Sequence, residues 1–357
     1  MITHRQGYIF MVTLFMVAGM TAVATYIYMR GTAYIPYMHT MIEQQKAKLV
    51  AMGGVQIGIR QLTYVEQNTD AKKDGNKQAE QKTMSDAQQL YMRIFPALNR
   101  WQVFELRKAV DGIDAVIRVC IMCEEGKLDL NQIYDFKRKQ FKGQGATQAD
   151  MKKVMELVCK RIESSMGMRE LLPALERFLK KRGYPLNDVT QLVTIPEWST
   201  YNNHLFYEPT EVSKPQAKPI LYLTDIFTVY SGKMTIEPRL FSDAWLGIMG
   251  MPQALQGQVK ERSELIQKLG KEFKQTVQWK TDWNTQLKPI YQKELQSLPK
   301  GLDSVLSVNF EAQQFLLRVE STVGKVTQRL VVVVDRAKKA QAEKAEYEGI
   351  IKKMYWL

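Results

Sequence analysis

The chain has 357 residues, enough for more than one compact lobe, and its 45% apolar content excludes global disorder. Its 50 Lys and Arg against 37 Asp and Glu leave a formal charge of +13. That excess is either a solvated basic surface or a field for acidic partners, anionic lipid or nucleic acid.

Residues 1–30 read MITHRQG, then YIFMVTLFMVAGMTAVATYIY, then MR. No Asp, Glu, Lys or Arg lies between Arg5 and Arg30. As a helix, Tyr8 to Tyr28 is about 31 Å long, the thickness of a bilayer's hydrocarbon core. Three readings follow: a plain anchor, a secretory signal cut after Ala22-Val23-Ala24, or a prepilin-type leader ending at Gly7 with its helix starting at Tyr8. Arg5-Gln6-Gly7-Tyr8 fits the third. The leader geometry puts the N-terminus on the cytoplasmic side, although Arg30, Lys46 and Lys48 pull mildly the other way.

Pro36 predicts a kink or break. Beyond it, Met41, Leu49, Met52, Val55, Ile59 and Leu62 fall at the spacing of one buried helical face. Gly53, Gly54 and Gly58 weaken that helix but admit a close neighbour. Asn68–Lys82 is polar and aperiodic, a loop. Trp101–Leu106 and Ala115–Met122 read as strands. Glu124-Glu125-Gly126-Lys127 is a turn leading to a third strand, Lys127–Leu130, in a β-hairpin.

Cys120 and Cys123 stand three apart on a strand and point to opposite faces, so a bond between them is not expected. In an exported protein one of them pairs with Cys159, unless all three are buried free thiols. A second C-x-x-C or a His pair for zinc is absent.

Thr147 and Asp150 form a capping-box-like start to a helix burying Met151, Val154, Met155, Val158 and Ile162. A second helix carries Leu171, Leu172, Leu175, Phe178 and Leu179 and ends at Gly183 and Pro185. Residues 184–220 are irregular. Ile226–Ile236 reads as strand, turn, strand around Ser231-Gly232. A helical part spans Asp243 to Leu295. Val305–Val308, Gln314–Val319 and Leu330–Val334 are strands, with Gly324 in the last turn. A charged helix, Ala337–Lys353, precedes Tyr355-Trp356-Leu357. The fold class is α+β: a long N-terminal membrane helix, then a pilin-like antiparallel sheet domain with an inserted all-helical domain.

Enzyme signatures are missing. His4, His39 and His204 sit in no catalytic motif, and no P-loop or dinucleotide fingerprint occurs.

Val116–Gln132 (VIRVCIMCEEGKLDLNQ), Phe227–Pro238 (FTVYSGKMTIEP) and Leu306–Arg336 (LSVNFEAQQFLLRVESTVGKVTQRLVVVVDR) follow one another in order. Together with the leader they resemble the general secretion pathway protein K family, minor pseudopilins of type II secretion. Its Gly-Lys motif is carried by Gly126, Lys127, Asp129 and Asn131. The chain departs from the family at Thr235-Ile236-Glu237-Pro238, where an Asn-rich run is usual, and lacks an Asp-Trp-x-Asp run in the helical part.

The resemblance implies a leader at 1–7, a transmembrane helix at 8–28 and its periplasmic continuation at 29–66. A pilin-like domain at 67–140 and 226–357 is then split by a helical insertion at 141–225. It implies a non-enzymatic subunit at the tip of a pseudopilus, initiating or capping assembly, anchored in the bacterial inner membrane with its globular part periplasmic. Its partners would be other minor pseudopilins, the major pseudopilin, the prepilin peptidase and the inner-membrane secretion platform. Related pilins carry Glu at the fifth mature position; here that position is Val12, as suits a subunit with nothing ahead of it. No cofactor is expected. Calcium, bound by some members, has Glu124, Glu125 and Asp129 as remaining donors, which read more simply as solvated turn charge.

A rival reading is a minor pilin of a type IV pilus or DNA-uptake filament with a basic tip. Lys271, Lys274 and Lys280 interleave with Phe273, Trp279 and Trp283, a pattern that either stacks bases or packs one face.

Overall fold

The computed structural model describes residues 3–64, 84–143, 151–208, 220–251, 259–338 and 347–357, with the side chains of 3–9, 33 and 259–263 left aside. Helix α1 runs unbroken from Thr3 to Thr63. Pro36 lies inside it and does not end it. Proline removes one N–H and already has a helical φ, while Thr32 and Thr40 fold their hydroxyls back onto the carbonyls of Tyr28 and Pro36.

Next come α2 (Asp86–Ile94), β1 (Trp101–Leu106), one-turn α3 (Lys108–Asp111), β2 (Ala115–Cys123) and β3 (Leu128–Asp129). They are followed by α4 (Leu130–Ile133), β4 (Tyr134–Asp135), β5 (Gln140–Phe141), α5 (Met151–Met166) and α6 (Leu171–Arg182). Two 3-10 stretches, Val189–Thr194 and Pro196–Asn203, lead to α7 (Leu223–Ile226), β6 (Phe227–Thr228) and α8 (Asp243–Ile248). The chain continues through α9 (Val259–Lys271), α10 (Trp279–Gln286) and α11 (Lys288–Tyr291). It closes with β7 (Gln314–Val323), β8 (Val326–Lys338) and β9 (Tyr347–Trp356).

The main sheet has the order β1-β2-β7-β8-β9, and every neighbouring pair is antiparallel. The β7–β8 turn uses Gly324 at φ +56°, a conformation that glycine adopts without a Cβ clash. The class is α+β: a long apolar helix, then an antiparallel sheet with further helices.

Helix α1 packs its second half across the sheet. A Cβ added at Gly54 would stand 2.6 Å from Val319 Cγ1, and one at Gly58 2.8 Å from Leu317 Cδ1. The two glycines therefore set the approach distance. Ala47, Ala51, Val55 and Leu62 complete the buried face. Met41 and Leu49, expected on that face, are exposed, Leu49 by 73%. The contact row follows the small residues rather than the largest apolar ones. Ser321 Oγ donates to the Ala47 carbonyl at 2.6 Å and Arg336 Nε to the Leu62 carbonyl at 2.8 Å.

The other sheet face carries Cys120, Met122, Leu316, Val331 and Val333, covered by Tyr207 with Phe206, Tyr222, Tyr230 and Tyr355. Cys123 belongs instead to the core on the α1 side, so the two strand cysteines do point to opposite faces. All three cysteines are free and buried.

Helices α5 and α6 bury the expected residues Met151, Val154, Met155, Val158, Ile162, Leu171, Leu175 and Leu179. These join Leu128, Leu130, Ile133 and Phe227 in the same core as the sheet. The cap at Thr147 and Asp150 and the loop at Asn68–Lys82 lie outside the described residues.

Four expectations are corrected. The strand after Gly126 does not form a hairpin with β2; β3 pairs in parallel with β6, which lies far along the chain. Ile226–Ile236 is not a strand pair: after β6 it is turn and bend, and Ile236 makes an isolated bridge to Leu306. Val305–Val308 holds the end of a 3-10 turn and that bridge, not a strand. Asp243 to Leu295 is helical as expected, in α8, α9, α10 and α11. The closing helix expected over Ala337–Lys353 is strand where it is described: Ala337 and Lys338 end β8, and Tyr347 to Lys353 belong to β9. The open edge of β8 supplies ladder partners, and Gly349 of β9 lets Ile59 of α1 approach its backbone closely.

Candidate functional site

The apolar first half of α1 is the first candidate. Its apolar window is wholly unburied, and the helix is long and apolar enough to cross a membrane. Phe10, Phe15, Met20, Ile27 and Tyr28 are exposed around the helix. Gly7 and Tyr8 have helical backbone, and the side chain of Tyr8 lies outside the description. Val12 is 38% exposed and lies within this apolar stretch.

The second candidate is the Gly126, Lys127, Asp129, Asn131 motif, which the fold gathers into a buried polar knot. A Cβ at Gly126 would overlap the Leu240 carbonyl, so only glycine lets the two chains cross. Lys127 is 0% exposed and pairs with Glu124, whose other oxygen accepts the Thr228 hydroxyl. Glu125 Oε1 accepts the backbone N–H groups of Gln313 (2.9 Å) and Gln314 (3.0 Å), and Oε2 faces the Cys123 thiol at 3.0 Å. Burial raises the Glu125 carboxyl above its ordinary range against those donors.

Asp129 caps α4 through the N–H groups of Asn131 and Gln132. Its Oδ2 accepts Gly232 N–H at 2.8 Å and the Ser231 hydroxyl at 3.2 Å. Asn131 then clasps Leu186 in both directions, donating to its carbonyl at 2.8 Å and accepting its N–H at 2.7 Å. The motif thus ties the end of β2, the β6 strap and the segment after α6 into one junction.

Glu124 and Glu125 are therefore not solvated turn charge; both are at most 2% exposed. Nor do the three carboxylates fit calcium. Each of their oxygens already accepts a protein hydrogen bond, whereas calcium requires about 6–8 free oxygen ligands. Among the described residues no group of His, Cys, Asp and Glu could hold a metal ion.

Several members of the junction had no signal in the sequence. Arg239 is fully buried, grips both oxygens of Glu237 (2.6 and 3.0 Å), donates to the Lys274 carbonyl and lies among Phe273, Trp279 and Phe310. Tyr207 donates to Asp243 at 2.6 Å, and Arg100 pairs with the same oxygen at 3.1 Å. Asp225, fully buried, accepts the Ala244 N–H, yet burial and nearby Asp243 push its pKa up to about 7. The Ser231-Gly232 turn signal was the one visible hint of the strap.

The Lys271–Trp283 segment is not a base-stacking surface. Trp279 and Trp283 are buried, and their indole N–H groups donate to the Ser307 and Lys293 carbonyls at 2.7 Å each. Lys274 pairs with Asp282 at 2.7 Å.

No family model and no curated protein matches the chain. Among solved structures the chain is similar to one described as the GspK-GspI-GspJ complex from the type 2 secretion system of enterotoxigenic Escherichia coli. The identity is 11% and the TM-score 0.41, over 92% of this chain and 99% of that chain. A likeness this distant does not transmit a function.

Proposed function

We propose that the chain is a minor pseudopilin of a type II secretion system, placed at the tip of the pseudopilus, where it initiates or caps assembly. The observation that carries this reading is the division of α1. Its first half is apolar and unpartnered, while its second half is locked onto an antiparallel sheet through Gly54 and Gly58. Such a helix anchors a subunit in the membrane and carries it into a filament as one piece.

In this reading a prepilin peptidase cuts after Gly7 and Tyr8 becomes the mature N-terminus. The N-terminus faces the cytoplasm and the lobe is periplasmic in the bacterial inner membrane. The apolar Val12 offers no charge to a preceding subunit's free amine, in keeping with a place at the tip. Other minor pseudopilins, the major pseudopilin and the secretion platform are its partners. The role is assembly rather than catalysis.

Sequencing the N-terminus of the membrane-extracted protein tests this. A start at Tyr8 is expected. A start at Thr25 means a released periplasmic protein and overturns the reading.

A further inference from the structure

The main sheet ends in two edges, β1 and β9, and the chain treats them differently. An edge strand leaves every second residue with its N–H and C=O pointing away from the sheet, a row that another extended backbone can satisfy. The β9 edge is guarded. A register shift stands at Val333 and Val334, and the lysines opposite are held in ion pairs, Lys352 with Asp335 at 3.0 Å and Lys353 with Asp188 at 2.5 Å. Bulges and lysines are the usual devices that keep a second strand off an edge.

Strand β1 carries neither device. Its sequence has no Lys, Pro or Gly, and it pairs with β2 in unbroken register from Trp101 to Leu106. Among the described residues its backbone bonds to β2 alone. None of its side chains is fully buried, and Val103, at mid-strand, is 56% exposed. Arg107 and Lys108 follow directly and are exposed. The acids nearest in sequence are turned to the backbone: Asp111 accepts the Arg107 N–H and Asp114 the Lys108 N–H, each at 2.8 Å. Among the described residues neither basic side chain pairs with a carboxylate.

We infer that β1 is a docking edge whose occupant is an extended segment of another protein, added as a further strand. The open backbone row selects a strand over a helix or a folded surface. Every neighbouring pair in this sheet is antiparallel. An antiparallel addition brings the N-terminal end of the incoming segment beside Arg107 and Lys108. The segment is therefore acidic at that end and β-branched where it runs past Val103.

A second copy of this chain does not fit. Two β1 edges joined antiparallel in one continuous sheet are related by a two-fold axis normal to it. Helix α1 lies along the sheet's face, so the two apolar halves would point in opposite directions and could not enter one membrane. That exclusion rests on the membrane reading of α1, whereas the edge follows from the lobe alone. The start of the mature chain and the binding measured below therefore fail independently.

The test is anisotropy of a labelled peptide, Asp-Glu-Val-Thr-Val-Thr-Val, titrated with the full chain in neutral detergent. Saturable binding is expected. Methylating the backbone nitrogens of two adjacent central residues blocks both edges of the peptide in any register, and should weaken binding at least about tenfold. The same two methyl groups on the terminal residues should have little effect. Val103→Lys, which installs on β1 the kind of guard found on β9, should also weaken binding about tenfold. Ile350→Lys on β9 should leave it unchanged, and Arg107→Gln/Lys108→Gln should weaken it about two- to fivefold. If Val103→Lys does not fold, the methylated peptides test the edge on the unaltered chain. Four results would each overturn the inference: no saturable binding, equal binding of the centrally methylated peptide, a loss in Ile350→Lys but not in Val103→Lys, or an unchanged affinity in Arg107→Gln/Lys108→Gln. Self-association of the chain that Val103→Lys abolishes, in place of peptide binding, would overturn it as well.

Discussion

Two regions of the molecule use the same residue types in opposite ways. In the junction at Glu124–Asn131, Lys127 and its carboxylates are removed from water and each is matched to a partner. In the 137–139 turn and at the end of α6, Lys137, Lys139, Lys180 and Lys181 stand in water, and among the described residues none of them pairs with a carboxylate. The first arrangement holds segments together at a high desolvation cost. The second contributes little to stability and leaves its charge available. A charged residue is thus structural or outward-looking according to what surrounds it, not according to its type.

The sharpest way to break this comparison is Lys127→Met. It leaves Glu124 buried beside an apolar chain, and we expect a loss of about 3–5 kcal/mol in urea unfolding. The double change Lys127→Met/Glu124→Leu should recover part of that loss. A single variant within about 0.5 kcal/mol of the parent would mean that the pair is not a buried unit.

Asp225 gives a smaller and pH-dependent effect. Burial first, then Asp243, raise its pKa from 3.8 to about 7, with Lys127 pulling it down and Glu124 pushing it up. Between those values the folded chain holds a proton that the unfolded chain has released. Stability is therefore fully present below about pH 4 and is lost as pH rises through about 7. Asp225→Asn should raise stability at pH 8 by on the order of 2 kcal/mol and change it little at pH 4. An equal shift at both pH values in thermal melts would contradict this.

The smallest effect belongs to the exposed lysines. Lys180→Gln/Lys181→Gln should leave unfolding stability within about 0.5 kcal/mol. A larger loss would mean that these bases carry structural contacts like those of Lys127.

What was legible in the sequence was local. The strands at Trp101–Leu106 and Ala115–Met122, the helices α5 and α6 and the turn at Gly324 follow from periodicity and turn chemistry, and they stand where expected. The long apolar N-terminal helix was equally plain. The motif residues Gly126, Lys127, Asp129 and Asn131 were singled out, but their burial was not visible, because Glu-Glu-Gly-Lys has the composition of a solvated turn. Its partners Thr228, Ser231 and Gly232 come from about 100 residues away, beyond the reach of any local pattern. The strand β9 was missed for a different reason: the stretch from Ala337 to Lys353 is rich in Ala, Glu and Lys, which favour helix, and β9 forms against the edge of β8. The Trp279 and Trp283 pair shows the converse, since aromatics between lysines look like a binding surface but are core.

The two carbonyl clasps on α1, at Ala47 from Ser321 and at Leu62 from Arg336, also have a mechanical consequence. They lie about 22 Å apart along the helix, with the glycine seat between them. A force drawn along α1 therefore loads both clasps and the seat together, in shear, rather than peeling them one at a time. A helix fastened this way passes a pull from its N-terminal end to the middle strands of the sheet before it can slide.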